Sequence, residues 1–293
     1  MELEKIQHIK NIVLISLFSD DKLMELLVLK GASAIDLIYG VAKRSSLDID
    51  LSVPCGFTLE EFENIKDRIR KTLEQTFLEN GYKVFDLSVE EKPPSLPDSL
   101  KSFWGGYQIE FKIIEIDKYE KIGSDITELR KYAKVVGVGQ RKKLIIDISK
   151  HEFCDGKQSK EIEGITIYFY TPEMIAIEKL RAICQQMPEY LTTVDASIGA
   201  ARARDFVDIC ILVDRFGIKL DTEDNQEVMT QIFRAKRVPL NLIMRIKDYR
   251  EFHRPDFQAV RDTVVANFDL KDFDYYFNYV VRLCDDLKPF WEE

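Results

Sequence analysis

Apolar positions along the chain change their period several times, and each change predicts an element. Residues 3 to 29 repeat at helical spacing and predict one or two helices leading into a glycine turn at Gly31. Asp48–Val53 alternates as a strand. Thr58-Leu59-Glu60-Glu61 reads as a capping box, with Thr58 as N-cap and Glu61 three residues on; it opens a long helix that Gly81 ends. Tyr82–Val89 and Tyr107–Ile116 read as strands around a loop at 92–97, where three prolines exclude regular structure. Ile126–Val136 is predicted helical, Lys143–Ser149 a buried strand, Glu152–Gly164 a polar hairpin or loop, and Ile165–Tyr170 a further strand. Thr171-Pro172-Glu173 combines an N-cap, a proline at N1 and a first-turn acid. Beyond it the pattern is helical almost throughout, with breaks near Met187–Thr193, Gly217, Pro239 and Pro255. The pattern therefore predicts an α/β domain over residues 1–170 and a helical domain over 171–293.

Composition narrows the class. The net charge of −9 is spread evenly, with 25 basic against 29 acidic residues through Tyr170 and 17 against 22 after it. A protein that coats nucleic acid is normally basic, so any RNA contact must be local. Arg141-Lys142-Lys143, Arg234-Lys236-Arg237 and Arg245-Lys247-Arg250-Arg254 are the clusters that could dock one. No apolar run reaches the ~20 residues that span a bilayer, and the N-terminus lacks a signal-peptide core, so a cytoplasmic protein is expected. Cys55, Cys154, Cys184, Cys210 and Cys284 form no C-x-x-C pair, which argues against zinc and disulfide frameworks; Cys184 and Cys210 fall in apolar helical patterns and are expected in the core.

The chemistry concentrates in residues 30–51, KGASAIDLIYGVAKRSSLDIDL. Gly31-Ala32-Ser33 makes a glycine turn, and fourteen residues separate Ser33 from Asp48. Side chains two apart on a strand share a face, so Asp48 and Asp50 aim together while Ile49 turns to the core. Paired carboxylates suit Mg²⁺, which draws its other ligands from substrate phosphates and water. Backbone N–H groups at a glycine turn that starts a helix can meet a phosphate. An isolated D-x-D also occurs on solvated strand ends and in nucleotide-sugar sites; the apolar flanks and the glycine turn point to nucleotide chemistry instead. A third carboxylate, Asp147, is the only acid in the apolar strand KLIIDIS and would be costly to bury without a partner; Glu110 in YQIEFKI stands alone in the same way.

These motifs resemble the polymerase-β-like nucleotidyltransferases, and within them the AbiEii/AbiGii-type toxins of abortive-infection and toxin–antitoxin systems. That group carries a Lys-Gly-Gly-Thr-Ala-Leu turn and an Arg-x-Ser-x-Asp-x-Asp block. The counterparts are Lys30–Ile35 and Arg44–Asp50; Ala32 replaces the usual second glycine, which matters if that position needs φ > 0. The resemblance implies an α+β fold: a polymerase-β-like N-terminal domain with a mixed sheet, followed by a helical C-terminal domain. It implies Asp48, Asp50 and Asp147 as metal ligands for Mg²⁺, with a two-ion site, and NTP as substrate. It implies nucleotide contacts from Gly31, Ser33, Arg44 and Ser46. Glu173–Ala182 resembles the family's second-domain helix ending in Lys-Leu-x-Ala, implying Lys179 as a catalytic cation. Arg202–Asp208 resembles its Arg-x-[Lys/Arg]-Asp-x-x-Asp helix start, implying Arg204 or Arg202 at the phosphate or base, with Asp205 and Asp208 as braces to Lys179 or the arginines.

The implied activity is transfer of NMP from NTP to an acceptor, with the tRNA 3′ end favoured and a cognate antitoxin as partner. Nucleotidylation of a protein or small molecule keeps the same site and changes the acceptor. A non-catalytic nucleotide-binding module is the third reading.

Overall fold

A computed structural model describes residues 2–41, 48–137, 140–194, 199–264 and 268–287. The chain forms two compact units, one of Met1–Gly40 with Ser46–Phe169, the other built on Tyr170–Glu293.

The first unit begins with helices α1 (Glu2–Phe18) and α2 (Asp21–Leu26), strand β1 (Val28–Lys30) and helix α3 (Gly31–Leu37). Strand β2 (Ile49–Ser52) and helix α4 (Leu59–Glu79) follow. Strand β3 (Tyr82–Lys92), helix α5 (Asp98–Lys101) and strand β4 (Gly106–Glu115) come next. Helices α6 (Ile116–Ile122) and α7 (Ile126–Tyr132) precede strands β5 (Leu144–Ser149), β6 (Gln158–Ile162) and β7 (Ile165–Phe169). The strands form one seven-stranded mixed sheet in the order β3-β4-β5-β2-β1-β7-β6. β2 runs parallel to β5 and antiparallel to β1, which is itself parallel to β7. The fold is α+β, as expected.

Alternation builds the central strands. Ile49 and Leu51 of β2, and Leu144, Ile146 and Ile148 of β5, are buried, while Asp50 and Asp147 lie on the opposite, half-buried face. Helix α4 starts at the predicted capping box, with Thr58 N donating to Glu61 and Glu61 N to Thr58 Oγ1. Its apolar stripe of Phe62, Ile65, Ile69, Leu73 and Phe77 packs against α1 and β3. Lys10, buried in α1, donates to Asp36 at 2.8 Å and fastens α3 in place.

β1 and α7 are two of the elements that differ from the sequence pattern. β1 was hidden within a predicted helical region because all three of its residues are buried, and a short apolar run carries no period. The helix predicted to Val136 ends at Tyr132, because Lys134 N is drawn to the Ile113 carbonyl at 2.8 Å and Val136 N to that of Arg141.

The second unit contains helices α8 (Pro172–Cys184), α9 (Pro188–Leu191), α10 (Ala203–Phe216), α11 (Glu223–Ala235), α12 (Arg250–His253), α13 (Phe257–Thr263) and α14 (Phe273–Asp286). A 3₁₀ segment, Leu240–Tyr249, precedes α12. Thr171 caps α8 through Met174 N, with Pro172 at its start. Gly217 ends α10 in the left-handed conformation. Cys184 and Cys210 are buried, as their pattern required. Among the described residues no helix is long and apolar enough to cross a membrane.

The N-terminus of α10 is tied by side chains from a later segment. Arg202 N donates to His253 Nδ1 and Ala203 N to Asp256 Oδ2, both at 3.0 Å. An imidazole accepting at Nδ1 carries its proton on Nε2. Among the described residues Nε2 has no hydrogen-bond partner, and the rings of Phe206 and Phe252 lie about His253. Burial pulls the His253 pKa down to about 4, against the opposing pull of the Asp205 carboxylate. Because the folded state resists a proton that the unfolded chain accepts near its usual pKa, stability falls as pH drops from about 6.5 toward 4. The loss attributable to His253 between pH 7.5 and 5 is about 2 kcal/mol. Urea denaturation across that range checks it: His253→Gln should flatten the dependence, and an unchanged slope in that variant would refute the assignment.

Candidate active site

The strand register gathers the acidic residues. Asp50 of β2 and Asp147 of β5 are direct partners across the parallel pair, and paired residues share a face. Gln108 of β4 is opposite Asp147, and Lys30 of β1 is opposite Asp50. Asp48 precedes β2 by one residue and shares the parity of Asp50. Of the two lone strand acids, it is Asp147 whose register partner is Asp50. Glu110 lies two residues further along β4, opposite Ile145, and pairs with Lys143 at 2.7 Å.

The glycine turn is built against this row. Gly31 has φ +62°, a left-handed conformation that favours glycine. A Cβ added there would stand 2.8 Å from Asp50 Oδ2. The turn therefore needs glycine for both its dihedral and the closeness of the carboxylate. Ala32 does not share the requirement: it lies inside α3 and has no positive φ. Alanine at the family's second-glycine position therefore meets no left-handed backbone.

Ser33 is fully buried, and its hydroxyl donates to the Asp48 carbonyl at 2.6 Å. A hydroxyl has one proton, so in this structure it links the turn to the aspartate strand. Lys30, at the turn's start, forms a buried ion pair with Glu152 at 3.2 Å.

Cationic and amide groups meet the carboxylates. Arg141 Nη2 lies 2.7 Å from Asp48 Oδ1. Gln108 Nε2 donates to Asp147 Oδ1 at 2.8 Å, and Lys92 Nζ approaches the same oxygen at 3.3 Å. Pattern reading missed Gln108, Lys92 and Glu152 and set Arg141 among RNA-docking clusters. Gln108 was visible only as one of the alternating polar residues of its strand, with Glu110 and Lys112, and its relevance depends on register. The other three reach the site from separate segments, so no local signal could mark them.

Asp48, Asp50 and Asp147 supply the hard oxygen type of donor that a divalent cation takes, and two of them already attract positive charge. Among the described residues, no group of three or more His, Cys, Asp or Glu side chains is gathered as it would be around an ion. Arg44 and Ser46, expected at the nucleotide, lie outside the described residues.

Lys179 and Arg204 belong to the second unit. Lys179 is buried, with Nζ 2.8 Å from both Asp205 Oδ1 and Asp208 Oδ2. Asp205 also receives Arg202 Nε. The two acids thus brace Lys179 and balance its charge. Arg204 is exposed near the start of α10.

A family model described as nucleotidyl transferase AbiEii toxin, type IV TA system, matches residues 12–279. No curated protein matches the chain. Two solved structures from Helicobacter pylori are similar, JHP933 and a protein provisionally assigned as a nucleotidyltransferase. Each is 16% identical with a TM-score of 0.47 and covers 97% of this chain; the matches extend over 90% and 92% of the Helicobacter chains, respectively.

Proposed function

The chain belongs to the AbiEii nucleotidyl transferase toxin family of type IV toxin–antitoxin systems, and from that premise we propose a Mg²⁺-dependent transfer of NMP from NTP to the 3′ end of tRNA. The observation that carries this reading is the Asp50–Asp147 register pair, with the bare backbone of Gly31 against the Asp50 carboxylate.

Asp48, Asp50 and Asp147 would hold the divalent cation, which when bound offsets triphosphate charge. Gly31 would bring the turn's backbone N–H groups to the phosphates while its backbone stays close against Asp50, and Ser33 ties Asp48 to the same turn. The acceptor oxygen bonds to the α-phosphorus as the bond to pyrophosphate breaks. Asp147 takes the acceptor's proton, with Gln108 orienting the carboxylate through Oδ1. Such a site works by positioning and charge stabilisation more than by covalent chemistry. A cognate antitoxin is the partner the family implies.

Incubating the protein with α-labelled NTPs, Mg²⁺ and total tRNA tests the reading. Labelled tRNA is expected, with incorporation lost on chelation by EDTA. Label only in protein or small molecules would reassign the acceptor. Absence of label from every acceptor, with all four NTPs, would overturn transfer altogether.

A further inference from the structure

A carboxylate assigned to a divalent cation is held here by one of the chain's own cations. Arg141 precedes β5 and Asp48 precedes β2; because these strands are parallel neighbours, their entry ends lie side by side. Across 93 residues of sequence, the Arg141 guanidinium reaches Asp48 Oδ1 at 2.7 Å. Its Nε donates to the Lys143 carbonyl at 3.1 Å, and Val136 N donates to the Arg141 carbonyl at 2.8 Å. Both the backbone and the side chain of Arg141 are therefore tied, and the guanidinium is aimed.

The ion pair is also open to exchange. The Arg141 side chain is 31% exposed and that of Asp48 49%. An exposed pair in water is weakly held, so a competing cation can displace it. A guanidinium and a divalent ion on one carboxylate repel each other, so each weakens the other's hold on it. Lys92 stands in a looser version of the same relation to Asp147, at 3.3 Å.

We propose that Arg141 is a positioning residue: it holds Asp48 in the nucleotide-free protein in place of the divalent cation and gives the carboxylate up when that cation binds. This rests on the reading of Asp48 as a ligand.

Mn²⁺ alone, titrated into nucleotide-free protein and followed by the EPR signal of the free ion, provides the test. Arg141→Gln should bind Mn²⁺ about fivefold more tightly than wild type, and Arg141→Lys should stay close to wild type. An arginine that merely braced the site would produce the opposite sign, since its loss would loosen the ligands. In the Asp48→Asn background the Arg141→Gln effect should vanish. Unchanged or weaker binding in Arg141→Gln, with wild-type binding still sensitive to Asp48→Asn, would overturn the proposal and leave the site reading intact. Wild-type binding indifferent to Asp48→Asn and Asp50→Asn would remove both. Circular dichroism of each variant confirms that folded protein is being compared.

Discussion

Asp50→Asn is expected to lower NMP transfer by about a thousandfold while the protein stays folded. Asparagine keeps the shape of the aspartate and removes only its charge. The site is a central strand whose register places this side chain beside Asp147 and against the Gly31 backbone, so its negative charge is both concentrated and close to the turn. A transfer that depends on charge stabilisation loses most where that charge is removed, whereas the packing of Ile49 and Leu51 beneath it is untouched. Initial rates with labelled NTP, compared at matched folded concentration, measure the loss. The thermal midpoint should stay within about 3 °C of wild type. Transfer within tenfold of wild type would remove Asp50 from the chemistry.

Lys179→Met has its largest effect on stability, at about 3–5 kcal/mol. The ammonium sits between Asp205 and Asp208 at 2.8 Å from each, and both acids are buried. Burial opposes the ionised form of Asp205, but Lys179 and Arg202 outweigh it and hold the carboxyl well below its usual range. A depressed carboxylate pKa stabilises the fold above the unfolded pKa and loses that contribution as pH falls through the folded one. Deleting the lysine removes the main offset and leaves the desolvation cost in place. Urea denaturation followed by helical circular dichroism should show the drop, and the double variant Lys179→Met/Asp205→Asn should recover part of it by deleting a buried charge as well. A change under about 1 kcal/mol would mean the triad is not the brace its geometry describes. At a temperature where Lys179→Met remains folded, any further loss of transfer measures a separate role in the reaction.

The helix signals were legible because they are local. Thr58 with Glu61, Thr171 with Pro172, and Gly217 each satisfy or terminate backbone groups within a few residues, and the structure places a helix end at each. β1 was not legible: three buried residues carry no period, and only pairing with β2 and β7 makes them a strand. That the left-handed dihedral falls on Gly31 and not on Ala32 is likewise decided only in three dimensions.

The sequence by itself determined the class of molecule, the strand alternation that turns Asp48, Asp50 and Asp147 away from the core, and the family motifs that carry them. Those properties depend on spacing along one segment, which the chain states outright. Only the tertiary structure decided that Asp147 is the register partner of Asp50, that Gly31 lies against that carboxylate, and that Arg141, Lys92 and Gln108 hold the neighbouring acids. These contacts join separate segments of the chain, and pairing geometry sets them rather than local preference. A one-residue shift in register would turn the same side chains to the other face.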